Sequence, residues 1–131
     1  EGKDIIIIDD MISSGESILD VAKELKSRKA NRVFAATTFG LFTNGFDKID
    51  QAYKDGIIDR ILTTNLVYQP QELLEKPWYI NVDMSKYVAL LIDILNHDAS
   101  VSKLITPVER IHAKVKEYNE MKGSLDIDEN I

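Results

Sequence analysis

Apolar residues along this chain form short continuous runs that alternate with segments of helical spacing. Asp4 to Ile8 holds four consecutive isoleucines. A β-branched, continuously apolar run of this kind predicts a strand covered on both faces. Ser13-Ser14-Gly15 breaks it. From Glu16 to Arg28 the apolar positions Ile18, Val21, Ala22 and Leu25 fall on one face of a predicted helix. Glu24 and Arg28 are spaced to pair on its wet side. Arg32 to Phe39 predicts a second buried strand, followed by a loop from Gly40 to Gly45. A shorter helix is expected from Phe46 to Lys54, with Gly56 placed to cap its C-terminus.

Ile57 to Thr64 and Trp78 to Val82 predict a third and a fourth strand. Between them, Tyr68 to Pro77 contains two prolines and reads as loop with a helical turn. Met84 to Asn96 reads as a helix apolar around most of its circumference, hence covered on more than one side. Thr106-Pro107-Val108-Glu109 has the pattern of a capping box with proline at the first helical position. Val108, Ile111, Val115 and Tyr118 give the helix that follows a narrower stripe, and the acidic stretch from Gly123 to Ile131 is expected to fray. Strand and helix alternating in this way imply right-handed crossovers and a parallel sheet, an α/β fold.

Composition narrows the classes of function. The 131 residues, 44% hydrophobic and 29% charged, suffice for one globular domain with an apolar core. With no cysteine, a disulfide scaffold, a thiolate nucleophile and a thiolate metal site are excluded. A formal net charge of −6 argues against bulk DNA or RNA binding but leaves room for a local site for one small phosphate. No apolar run approaches the roughly 20 residues of a membrane span, and the N-terminus is no secretory signal, so a cytoplasmic location is the expectation. The opening Glu1-Gly2-Lys3, without an initiator Met, reads as an internal stretch of something longer.

Ligands of parallel α/β sheets bind beyond the carboxyl ends of the strands. Asp9 and Asp10 fall at that end of the first strand, and Ser13 to Ser17 turn from it into a helix. Exposed N–H groups at a helix start favour an anion, and serine hydroxyls add donors. A phosphate on the loop with two carboxylates on its strand side suits a phosphorylated sugar. The loop is neither a Walker A motif nor the dinucleotide Gly-x-Gly-x-x-Gly. The plainer alternative is that Asp-Asp merely ends the strand and Ser-Ser-Gly caps the helix. The full order, four apolar residues, two acids, two apolar residues, Ser-Ser-Gly-x-Ser and an amphipathic helix, favours a site.

Ile5 to Ser17, IIIIDDMISSGES, resembles the PRPP-binding motif of the type I phosphoribosyltransferase fold. Three later stretches resemble the ribose-phosphate diphosphokinases (PRPP synthetases) in particular: Thr37 to Gly45, TTFGLFTNG; Asp59 to Asn65, DRILTTN; and Asn96 to Ser102, NHDASVS. The likeness covers residues 1–105, and residues 106–131 form a helical extension with an acidic tail. It implies a phosphoribosyltransferase-like (Rossmann-like) domain, the C-terminal half of such an enzyme, with a parallel sheet, helices on both faces and an extra C-terminal helix. These enzymes transfer diphosphate from ATP to ribose 5-phosphate with Mg²⁺ to make PRPP.

The resemblance implies that Ser13, Ser14, Gly15, Glu16 and Ser17 hold the 5-phosphate, largely through backbone N–H groups. It places Asp9 and Asp10 against the ribose hydroxyls, directly or through Mg²⁺ and water. No catalytic residue is assigned within the chain, because in the family the ATP-binding elements and the mobile basic loop precede the motif. The chain alone is therefore expected to be inactive. A homo-oligomer is the expected assembly, with no nucleic acid or membrane partner. Two departures from the family pattern stand out. Glu16 brings a negative charge to the loop, and the family's histidine in the second loop is Phe39 or Thr38, depending on the alignment.

Other candidates have plainer readings. His97 and His112 lie in no metal-spaced cluster and read as surface or packing residues. Asn65 is equally a structural turn residue or a ligand contact. Thr43-Asn44-Gly45 reads first as a turn and second as a nucleotide or effector loop, and Trp78, Tyr79 and Tyr87 read as core or interface rather than a base-stacking platform. Two other functions use the same motif: a phosphoribosyltransferase that consumes PRPP with a nucleobase, and a non-catalytic module that senses ribose phosphate or a nucleotide.

Overall fold

Four strands, β1 (Ile5–Ile12), β2 (Val33–Gly40), β3 (Arg60–Thr64) and β4 (Tyr79–Val82), pair in the order β1-β2-β3-β4, each parallel to the next. Helices α1 (Glu16–Ser27), α2 (Asp47–Lys54) and the single-turn α3 (Gln71–Leu74) make the crossovers, and α4 (Ser85–Asn96) and α5 (Val108–Asp128) follow. This is the expected parallel α/β fold, and α5 is the expected extra helix. The structure, a computed structural model, describes residues 1–98, 100–102 and 107–128, with side chains to Met121. The domain boundary expected after residue 105 and Thr106 of the expected capping box lie outside the described residues. Two compact units divide the chain, Glu1–Lys86 and Tyr87–Ile131.

In the first unit the sheet is laid down in chain order. Right-handed crossovers between successive neighbours put α1, α2 and α3 on one face. That face holds the core: Val33, Ala35, Ile61 and Tyr79 from the strands, Ile18, Leu19 and Ala22 from α1, Ile49 and Ala52 from α2, and Leu73 from α3. The opposite face carries Ile6 and Ile8, 56% and 78% exposed, with Ile80 and Val82. Cover on both faces of β1, expected from its isoleucines, is therefore seen on one. A continuous apolar run reports that both faces favour burial and carries nothing about which residues supply the cover.

The elements match the hydrophobic pattern with shifted ends. β1 runs on through Asp9 and Asp10 to Ile12, because its pairing with β2 continues to Ile12↔Gly40. β3 begins at Arg60 rather than Ile57. Ile57 and Ile58 instead turn the chain out of α2, both donating their N–H groups to the Ala52 carbonyl, and Ile58 is fully buried.

A polar tie joins α2 to the approach to β4. Asp50 accepts from Trp78 Nε1 at 2.6 Å and from Lys76 Nζ at 2.7 Å, and Lys76 also pairs with Glu72 on α3 at 3.2 Å. Burial acts to raise the Asp50 carboxyl pKa, but the bonds from Lys76 and Trp78 outweigh it and hold the pKa below its ordinary value. Trp78 is fully buried and Tyr79 nearly so, which makes both core residues.

None of the residues of α4 is buried, in contrast to the cover expected for so apolar a helix. In the second unit the α5 stripe of Val108, Ile111, Val115 and Tyr118 is at least half exposed. α5 continues through Gly123 to Asp128, where fraying was expected. One glycine costs a helix about 1 kcal/mol, and no proline follows to stop it. No helix among the described residues is long and apolar enough to cross a membrane.

Candidate functional site

The carboxyl end of β1 changes face before it enters the loop. Ile5 and Ile7 point to the helices while Ile6 and Ile8 point away, yet Ile12 is buried. The alternation therefore slips between Asp9 and Ile12. At the slip the Asp10 N–H donates to Asp9 Oδ1 at 2.8 Å. Both aspartates are exposed. The slip sends Ile12 into the core as the floor of the loop.

Gly15 rests on that floor. Its φ is +83°, the left-handed region that a residue with a Cβ enters at a cost. A Cβ there would lie 3.3 Å from Ile49 Cδ1 and 3.8 Å from Ile12 Cγ2. Gly15 is the N-cap of α1 and, lacking a side chain, makes no capping hydrogen bond to that helix. The Ser14 hydroxyl reaches the Glu16 N–H only at 3.4 Å, beyond the usual length of such a bond. The first turn thus presents backbone N–H groups and the positive end of the helix dipole without the usual side-chain partner. Ser13, Glu16 and Ser17 are exposed and Ser14 half-buried. The Glu16 carboxylate pairs with Lys48 on α2, so its charge is met by a cation from the neighbouring helix.

The predicted residues Asp9, Asp10 and Ser13 to Ser17 are thus contiguous at one edge of the sheet. The segment between β2 and α2, read first as a turn, is attached to them. Leu41 N–H donates to the Ile12 carbonyl at 2.8 Å, and Thr43 N–H donates to the Ser13 carbonyl at 2.9 Å. Two glycines bracketing an aromatic residue, Gly40 and Gly45 around Phe42, were the available signal for a built segment there.

Asn65, left open by sequence, is fully engaged by protein groups. Its Nδ2 donates to Asp83 Oδ1 at 2.8 Å and its Oδ1 accepts from Met84 N–H at 2.8 Å. Bonds from the Ser85 side chain and backbone, and from Asn65, hold the Asp83 pKa below its ordinary value. Next to it, Thr63 Oγ1 and the Tyr79 hydroxyl meet at 2.8 Å in the core. Burial raises the Tyr79 pKa against the opposing bond to Thr63, which keeps the hydroxyl protonated. His97 is exposed at the end of α4, with Nδ1 against the Asp93 carbonyl at 2.9 Å. Among the described residues no three His, Cys, Asp or Glu side chains converge as a metal cage.

Comparison with known proteins agrees with this fold. Residues 1–106 match the family model of the phosphoribosyl synthetase-associated domain. The chain is 30% identical over 105 residues to a ribose-phosphate pyrophosphokinase of Vibrio parahaemolyticus, covering 79% of this chain and 32% of that protein. It is 31% identical over 106 residues to the ribose-phosphate pyrophosphokinase of Shewanella oneidensis, covering 81% and 33%. The chain thus spans about a third of the length of these relatives. The crystal structure of phosphoribosylpyrophosphate synthetase from Mycobacterium smegmatis has the same fold, with a TM-score of 0.65 at 22% identity over 76% of this chain and 32% of that one. With the family model matched over most of its length, the chain belongs to the phosphoribosyl synthetase-associated domain family.

Proposed function

We propose that this chain is the ribose 5-phosphate-binding part of a ribose-phosphate diphosphokinase, the cytoplasmic enzyme that passes diphosphate from ATP to ribose 5-phosphate. The observation that carries the reading is the loop from Ser13 to Ser17, which enters α1 through a left-handed Gly15 and leaves the helix start without a side-chain cap. A doubly charged phosphate ester is a natural partner for such a helix start. Ser13, Ser14 and Ser17 add hydroxyl donors around the 5-phosphate. Asp9 and Asp10 accept from the ribose hydroxyls on the strand side.

Two carboxylates are too few for an all-protein metal cage. They fit Mg²⁺, which is commonly held by one or two carboxylates together with water and substrate oxygens. Asp9 and Asp10 would hold it, and its charge would offset the negative oxygens of the phosphates. The chain's own residues bind and orient the sugar, which is where much of the catalysis of phosphoryl-type transfer resides. The protein acts as a homo-oligomer in this reading, and ATP and PRPP are its other ligands. The matched residues cover only 32–33% of these relatives, and in this reading the chain on its own forms no PRPP.

Titration calorimetry with ribose 5-phosphate tests the proposal. Saturable binding with Mg²⁺ present is expected, together with no PRPP formation when ATP is added. A folded chain that fails to bind ribose 5-phosphate overturns the binding role. PRPP formation by the chain alone overturns its assignment as a partial enzyme, and consumption of PRPP with a nucleobase replaces the reaction.

A further inference from the structure

We propose that Phe42 is a positioning residue for the Ser13–Ser17 loop: its buried ring and left-handed backbone hold the strap that fixes the loop from behind. The consequence for substrate rests on the proposed ribose 5-phosphate site; the positioning itself does not.

Phe42 is an unusual residue in an unusual conformation. Its φ is +48°, a region that is sparsely populated by non-glycine residues and costs on the order of 1–3 kcal/mol. Such strain persists where the surroundings over-determine it. Here they do. The ring is only 6% exposed, and it packs against Phe46, Trp78 and Tyr79 with centroids at 5.6, 5.9 and 6.3 Å. Its seat is cut by Gly40: a Cβ on that residue would lie 2.7 Å from Phe42 Cε2 and 2.8 Å from Thr63 Cγ2. The ring is therefore held on one side by the aromatic cluster and on the other by the missing side chain.

The residues on either side of Phe42 do the attaching. Leu41 and Thr43 give their N–H groups to the carbonyls of Ile12 and Ser13, the last residue of β1 and the first of the loop. A left-handed residue between them turns the strap so that both donors face the loop while the ring goes into the core. Of the residues placed in the site, Ser13 is gripped directly, and Ser14 to Ser17 follow from it in sequence. A ring that leaves its seat releases both bonds together.

Three variants and one wild-type measurement test this. Phe42→Leu removes the ring, and Gly40→Ala displaces it without removing it. Leu73→Val trims the same core at α3, where Leu73 is fully buried. Amide NMR of the ligand-free proteins reads the loop directly. Phe42→Leu and Gly40→Ala should both move the Ser13–Ser17 amide resonances, and Leu73→Val should leave them in place. Ribose 5-phosphate affinity should fall about tenfold in the first two, as expected for binding groups displaced from a set geometry, and stay within about twofold in the third. Unmoved resonances in both Phe42→Leu and Gly40→Ala overturn the proposal. If neither folds, hydrogen exchange on the wild type decides: bound ribose 5-phosphate should slow exchange at Leu41 and Thr43, since coupling is reciprocal, and unchanged rates overturn it. A wild type that binds no ribose 5-phosphate ends the substrate reading alone, because the ligand-free resonances still report whether Phe42 sets the loop.

Discussion

Two polar segments lie at the carboxyl edge of the same sheet and use their polar groups in opposite ways. After β1, Ser13 to Ser17 enter α1 with no side-chain cap on the helix. After β3 and β4, the Asn65 side chain is bonded to Asp83, Ser85 and the Met84 N–H, and Asp83 in turn accepts from the Ser85 N–H. Small polar residues typical of turns serve in both places, serine among them each time. What separates them is whether the protein itself consumes the donors. A turn whose hydrogen bonds are closed internally contributes stability; one whose donors stay open is available for a ligand.

The sharpest way to break the contrast is at Gly15. Gly15→Val puts a β-branched side chain at φ +83° against Ile49. Ribose 5-phosphate affinity should fall by about a hundredfold, and calorimetry would show it. Retained affinity would mean that the open loop is not the site.

Asp50 comes next, in a closed cluster with Lys76 and Trp78. Asp50→Asn removes the charge that faces Lys76 and should cost about 1–3 kcal/mol in a urea melt, with ligand affinity unchanged. Its pH dependence has a defined sign. The folded-state pKa is below the ordinary 3.8, so the pair's contribution is fully present above the unfolded value. It is lost as pH falls from about 4 through the lowered folded value. Wild-type stability should therefore drop more steeply in acid than that of Asp50→Asn, and parallel curves would refute the coupling.

The smallest effect is expected at Asn65. Asn65→Ala should lower stability by about 1 kcal/mol and leave ribose 5-phosphate affinity within about twofold. A tenfold loss of affinity would reopen Asn65 as a ligand contact and dissolve the contrast between the two segments.

Much of the fold was legible in the sequence because hydrophobic period and breakers agreed. The start of α1 at Glu16 follows directly from Ser13-Ser14-Gly15 ahead of an amphipathic run, and each strand overlaps the apolar segment that predicted it, with β1 running on to Ile12. The candidate site was legible as a contiguous stretch for the same reason. Other features depend on partners distant in the chain. The change of face between Asp9 and Ile12 falls where the pairing with β2 passes over Asp10 and resumes at Met11↔Phe39, which no local pattern encodes. Ile57 and Ile58 look like strand residues and instead close the end of α2. Asn65 could not be resolved because its partners lie 18 to 20 residues further along the chain. Phe42 was hidden for a related reason: propensity argues against an aromatic residue at positive φ, and only the tertiary seat overrides it.

That seat makes positions 40 and 42 a matched pair. A lineage drifting at position 40 toward any bulkier residue would have to shrink position 42 or reroute the strap in the same stretch of its history. Single steps away from the present pair pass through an ill-fitting intermediate, so the two sites should change together or not at all.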